Sequence, residues 1–107
     1  MYTYKANVIR VIDGDTLVAN VDLGFYIHLK ELKFRLIGIN APEIHGVTRE
    51  SGYQTKTRLE ELVLNKEVII KTAKTDAFGR WLADLWVDGV NVNALLVVEG
   101  LAVQFMQ

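Results

Sequence analysis

Apolar and polar positions along the 107-residue chain change period several times, and each change marks an element. Residues 4–12 and 16–23 are rich in valine and isoleucine and predict two strands joined at Asp13-Gly14, a strong hairpin signal. Residues 32–39, LKFRLIGI, alternate apolar with other residues and predict a third strand, with Gly38 marking a bulge or a close backbone approach. The stretch NAPEIHGVTRESG, which holds the only proline, Pro42, predicts a long surface loop. From about Ser51 the period lengthens. TKTRLEELVLN places Leu59, Leu62 and Val63 on one face with charge on the other, as an amphipathic helix requires. Strands follow at 67–73 and 81–87, separated by the turn TDAFGR, and Asp88-Gly89 turns the chain again. Asn91 then caps a short apolar helix, VNALLVVE, which Gly100 stops, and residues 101–107 form a short apolar tail.

The order strand-strand-strand, helix, strand-strand, helix predicts an α+β fold that is mainly β. Its form is a five-stranded Greek-key barrel of the OB-fold type, with a helix between strands 3 and 4 and a second short helix after strand 5. No repeat, low-complexity tract or linker interrupts it, and residues 1–107 read as a single domain long enough to bury its own core. Half the residues are hydrophobic and the formal net charge is -1, which argues against disorder and against a generally basic surface. A nucleic-acid partner would therefore have to be gripped by a local patch. The chain has no cysteine, so any metal must be held by oxygen or by histidine, and His28 and His45 stand far apart in sequence. No stretch has the length of a membrane span, and the N-terminus has no signal-peptide core, so the expected setting is cytoplasmic or that of a trimmed secreted form, without a membrane partner.

Several polar groups stand where the pattern predicts structure. The turn carries a second carboxylate, Asp15, although Asp13 and Gly14 suffice to reverse the chain. Arg35 lies inside the third strand on one face with Lys33 and Ile37, either on a solvated surface or as a rigidly held guanidinium suited to bidentate phosphate contact. Glu43 leaves the end of that strand in the turn Asn40-Ala41-Pro42, and Arg80 sits between a glycine turn and a strand led by Trp81. Taken singly, each has an ordinary explanation as surface charge. His28 reads as a surface residue, His45 lies two residues beyond Glu43, and Lys30, Lys33, Arg49, Lys56, Arg58, Lys71 and Lys74 are scattered.

Together, IDGDT, FRLIGINAPE and DAFGR, in that order and at these separations, resemble the staphylococcal nuclease (thermonuclease) family over about residues 7 to 103. The resemblance implies an OB-type barrel that hydrolyses phosphodiester bonds of DNA, RNA or both, with calcium as cofactor and a monomeric state. Position by position, it implies Asp15 as a metal ligand with Asp13 in its outer shell, and Ala41 as a ligand through its backbone carbonyl. Arg35 and Arg80 match the phosphate-binding arginines, and Glu43 matches the carboxylate that positions or deprotonates the attacking water. Asn40 stands where the family has a second aspartate ligand, which weakens the attraction for a cation. The family pattern also continues beyond position 107 with an aromatic segment and a third helix. Phe78, and after it Phe105, offer stacking surface for a substrate base, although core packing is the commoner role of an aromatic beside a barrel. Two alternatives stand beside this reading: a catalytically weak module that binds nucleic acid, its impaired metal site signalled by Asn40, or a protein-interaction barrel that has lost substrate binding. Barrel stability does not require Asp15, Arg35, Glu43 and Arg80 together, which argues against the last.

Overall fold

The computed structural model describes residues 2–106. In chain order its elements are β1 (Tyr2–Asp13), β2 (Thr16–Asp22), β3 (His28–Leu36), β4 (Ile39–Asn40), a single 3-10 turn (Gly46–Thr48) and helix α1 (Arg49–Val63). They continue with β5 (Glu67–Thr75), β6 (Trp81–Val87), β7 (Val90–Asn91), helix α2 (Val92–Val98) and β8 (Val103–Gln104). The five long strands make the barrel. β1 pairs antiparallel with both β2 and β5, β2 with β3, and β5 with β6. A parallel seam between β3 and β6 closes it, with Phe34 opposite Trp81, Arg35 opposite Leu82 and Leu36 opposite Ala83. Closure removes the unpaired edges that an open sheet of this length would expose.

Alternation along the strands sends Val8, Leu17, Leu36, Ile70 and Leu85 inward, where they are fully buried. Leu59 and Val63 of α1 and Leu96 of α2 join the same cluster. Each side chain of this size contributes roughly 1.5–3 kcal/mol by leaving water. The buried face of α1 also includes Gly52 and Thr55, so the helix begins before Ser51, where apolar periodicity alone starts it. Those two residues carry no hydrophobic signal, and they are buried because the chain packs closely against them. Leu62 is only partly buried on the same core.

Two other boundaries differ from the sequence expectation. Gly38 adopts φ +79° and ends β3, so that Ile39 and Asn40 leave the barrel sheet and pair with Gln104 and Val103. At its other end β3 begins at His28, through an irregularity near Glu31, whose N–H donates to Asn20 Oδ1 at 2.8 Å. The cap at Asn91 is as expected, its side chain accepting from the Ala94 N–H at 2.8 Å. Asn93, two residues further in, is buried and ties the closing seam together. It accepts from the Leu85 N–H and donates to the carbonyls of Ile37 and Ala83.

Candidate active site

The β1–β2 turn is built from Gly14 and Asp15, and its glycine is there for space. A Cβ at Gly14 would lie 2.5 Å from Thr55 Cγ2 and 2.7 Å from Ala41 Cβ, so only glycine lets helix α1 and the segment after β4 close over the turn. Asp13 accepts from the Asp15 N–H at 3.0 Å and sets the orientation of the next carboxylate. Asp15 is 7% exposed. Its Oδ2 accepts from the Ala41 N–H at 2.8 Å and faces Arg35 Nη2 at 3.4 Å, while Oδ1 accepts from the Thr16 hydroxyl at 3.2 Å. Burial, then the neighbouring Asp13 carboxyl, push Asp15 up to about 6, against the lowering influence of the Ala41 N–H and the Arg35 guanidinium.

Arg35 is 6% exposed, which excludes the solvated-face reading. Its Nη1 donates to the Leu36 carbonyl at 2.8 Å and its Nη2 to Asn40 Oδ1 at 3.3 Å. Asn40, at the head of the loop, thus faces the same guanidinium as Asp15. Arg80 reaches the cluster from the other side of the seam, where it immediately precedes Trp81, the partner of Phe34, and its side chain extends to Thr16. Its Nη1 lies 3.5 Å from the Thr16 hydroxyl, and its Nε and Nη2 hold Asp76 Oδ2 at 2.8 and 2.7 Å. Burial opposes ionisation of Asp76, yet the N–H groups of Arg80 and Phe78 and the guanidinium hold it below the usual carboxylate range. Phe78 does not pack in the core. It is 82% exposed, with the Arg80 guanidinium 5.3 Å from its ring centre. Phe105 is also exposed.

Glu43 is exposed on the loop beyond Ala41, whose N–H holds Asp15. Two residues of chain keep it within about 7 Å of that contact, Cα to Cα. Its carbonyl accepts from the Thr48 hydroxyl at 2.8 Å, and Gly52 of α1 lies so close that any Cβ there would collide with the same carbonyl. His45 and His28 are exposed. The structure therefore brings Asp13, Asp15, Arg35, Asn40, Ala41 and Arg80 together, with Glu43 on the adjoining loop and Phe78 at the rim. Sequence reasoning missed Thr16, which links Asp15 to Arg80, and Asp76, which holds Arg80. The signals were present, in the threonine of IDGDT and in an aspartate four positions before Arg80. The glycines at 14 and 52 carried no such signal of close packing, because that depends on tertiary neighbours.

The oxygen donors near Asp15 suit a hard cation. Calcium takes six to eight oxygens, and waters can be among them. Among the described residues, no group of three or more His, Cys, Asp or Glu side chains converges, so water would complete any such site. Asp15 still has acceptor capacity, since its two oxygens offer about four lone-pair directions and three partners use them.

A closed five-stranded barrel with two helices, carrying a buried carboxylate paired with Arg35 and linked through Thr16 to Arg80, defines the class as a small OB-like barrel. The chain belongs to the family of staphylococcal nuclease homologues, whose model matches residues 33–107. Arg35, Asn40, Glu43 and Arg80 lie within that match, and Asp13 and Asp15 precede it. The chain is 35% identical to the thermonuclease of Staphylococcus hyicus over 109 residues, covering 94% of this chain and 57% of that protein. It is 31% identical over 107 residues to protein ParB of Escherichia coli, covering 92% and 55%. An uncharacterized endonuclease of Haemophilus influenzae is 31% identical over 100 residues, covering 94% and 52%. The chain thus spans a little over half the length of these relatives.

Proposed function

We propose that the protein is a calcium-assisted phosphodiesterase that cleaves single-stranded or loosened DNA, RNA or both, with little sequence preference. Family membership and relatives named thermonuclease and endonuclease support the reading. The observation that carries it is the approach of two guanidiniums to one buried carboxylate: Arg35 directly, Arg80 through the Thr16 hydroxyl. Barrel packing alone has no use for that convergence. A phosphodiester resists attack because its oxygens are already negative. Arg35 and Arg80 each present several N–H groups in a fixed plane and stabilise charge that builds on the phosphoryl oxygens. Glu43, exposed at the rim, accepts the proton of the attacking water. Asp15, with Asp13 behind it and with Asn40 Oδ1 and the Ala41 carbonyl, would hold the calcium. Bound there, calcium supplies further positive charge to the phosphate and favours a water nucleophile.

A second reading, a nucleic-acid-binding module with weak catalysis, is favoured by Asn40, whose neutral oxygen already accepts from Arg35. One assay separates the two. End-labelled single-stranded DNA incubated with the protein gives fragments in calcium and none in chelator if the first reading holds. Binding with no fragments in either condition makes the second correct.

A further inference from the structure

The β2–β3 hairpin breaks a local rule. Gly24, Phe25, Tyr26 and Ile27 form a tight turn in which the Ile27 N–H donates to the Gly24 carbonyl at 2.9 Å, and the Leu23 N–H donates to the Ile27 carbonyl at 2.9 Å. The two central residues, Phe25 and Tyr26, have φ of 55° and 62°. Positive φ at both central positions is the requirement of a type I′ turn, which Asn-Gly satisfies at least cost. Bulky aromatics there are strained. Core packing does not compensate, for Phe25 is 93% exposed and Tyr26 101%. A turn that accepts strain in order to hold two aromatic rings in water has a use for the rings.

The surface leading to them carries a row of exposed cations, although the chain as a whole is slightly acidic. Strand register places Asp13, Thr16 and Arg35 in one row across the outer face of β1–β2–β3, then Arg10, Val18 and Lys33, and further out Lys5, Asp22 and His28. Lys5, Arg10, His28, Lys30 and Lys33 are all exposed. The acidic groups along the way are Asp13 beside Arg35, Asp22, whose Oδ1 accepts from the Gly24 N–H at 2.8 Å, and Glu31, one fewer than the exposed lysines and arginines Lys5, Arg10, Lys30 and Lys33. From Arg35 to His28 the strand rises about 20 Å, the reach of several nucleotides.

We propose that this hairpin is a strand-guiding finger for single-stranded nucleic acid: bases stack on Phe25 and Tyr26, while Lys33, Arg10 and Lys5 follow the phosphates leading to the candidate site. The proposal rests on the nucleic-acid reading above and extends it to a surface remote from the cleavage cluster. A groove of positive charge combined with aromatic platforms is how sequence-tolerant single-strand binding is built.

The test is the double variant Phe25→Asn/Tyr26→Gly, which supplies the residues that the turn geometry prefers. Its melting temperature should equal or exceed that of the parent, so weaker binding cannot be assigned to unfolding. Fluorescence anisotropy with labelled oligothymidylates of about three and about twelve nucleotides, in chelator, reads affinity without cleavage. For the longer strand the variant should bind roughly 10-fold more weakly or worse, and the parent's preference for long over short should largely disappear. Equal affinity of parent and variant for the longer strand overturns the proposal, as does a parent that binds neither. A change in self-association alone, with nucleic-acid binding untouched, would mean that the tip is a protein contact and would equally overturn it. Absence of cleavage in calcium contradicts the nuclease reading and leaves this comparison decisive for the finger.

Discussion

Arg35, buried between Asp15 and Asn40, shows how much depends on the kind of cation. Its planar fork reaches the Leu36 carbonyl, Asn40 Oδ1 and Asp15 at once. Lysine keeps the charge but not the fork, so Arg35→Lys and Arg80→Lys should each depress turnover at least roughly 10-fold while leaving the circular dichroism of the barrel unchanged. Parental rates in both variants would remove the phosphate clamp from the account. Asn40 is the sharper case. Its side chain faces the guanidinium that faces Asp15, so a carboxylate at position 40 would add charge beside the proposed ion. Unit charges about 4 Å apart interact by roughly 4 kcal/mol at an effective dielectric near 20, and repulsion from Asp15 cancels much of it. Asn40→Asp should therefore tighten calcium by roughly tenfold, or about 1.4 kcal/mol, in a calorimetric titration with a nucleotide phosphate present. Equal or weaker binding would mean that residue 40 does not serve the ion.

At the level of elements, helix α1 positions the loop that carries Glu43. An alanine at an ordinary glycine position inside a helix stabilises by about 1 kcal/mol. At Gly52 the sign should reverse, because the added methyl collides with the Glu43 carbonyl. Gly52→Ala should cost about 1–3 kcal/mol, which calorimetry would read as a drop in Tm of about 4–8 °C per kcal/mol, with cleavage reduced as well. An unchanged or raised Tm would mean that the loop does not rest on the helix. The five strands and two helices were legible because their apolar periods are long and their turns carry Asp-Gly or Gly signals. The start of α1 was not, since Gly52 and Thr55 are buried by close backbone approach. The Phe25-Tyr26 tip was equally illegible as a turn, because its residues oppose the conformation they adopt.

For the whole molecule, the parallel β3–β6 seam determines the site. Phe34 opposite Trp81 brings Arg35 and Arg80, far apart in the chain, to the two sides of Asp15 and Thr16, and Asn93 secures the same seam from behind. The family resemblance of IDGDT, FRLIGINAPE and DAFGR singled out Asp15, Arg35 and Arg80, which the structure brings near one another. It did not show that Thr16 and Asp76 connect and restrain them, which only closure of the barrel brings about. The proposed hydrolysis of phosphodiesters turns on Glu43 as the base. The most direct test is single-turnover cleavage of single-stranded DNA in saturating calcium by the parent and by Glu43→Gln, with binding of the same strand measured in chelator. The parent should give fragments, the variant should cleave more slowly by roughly 100-fold or more, and both should bind equally. Equal cleavage rates in the two proteins would contradict that role for Glu43.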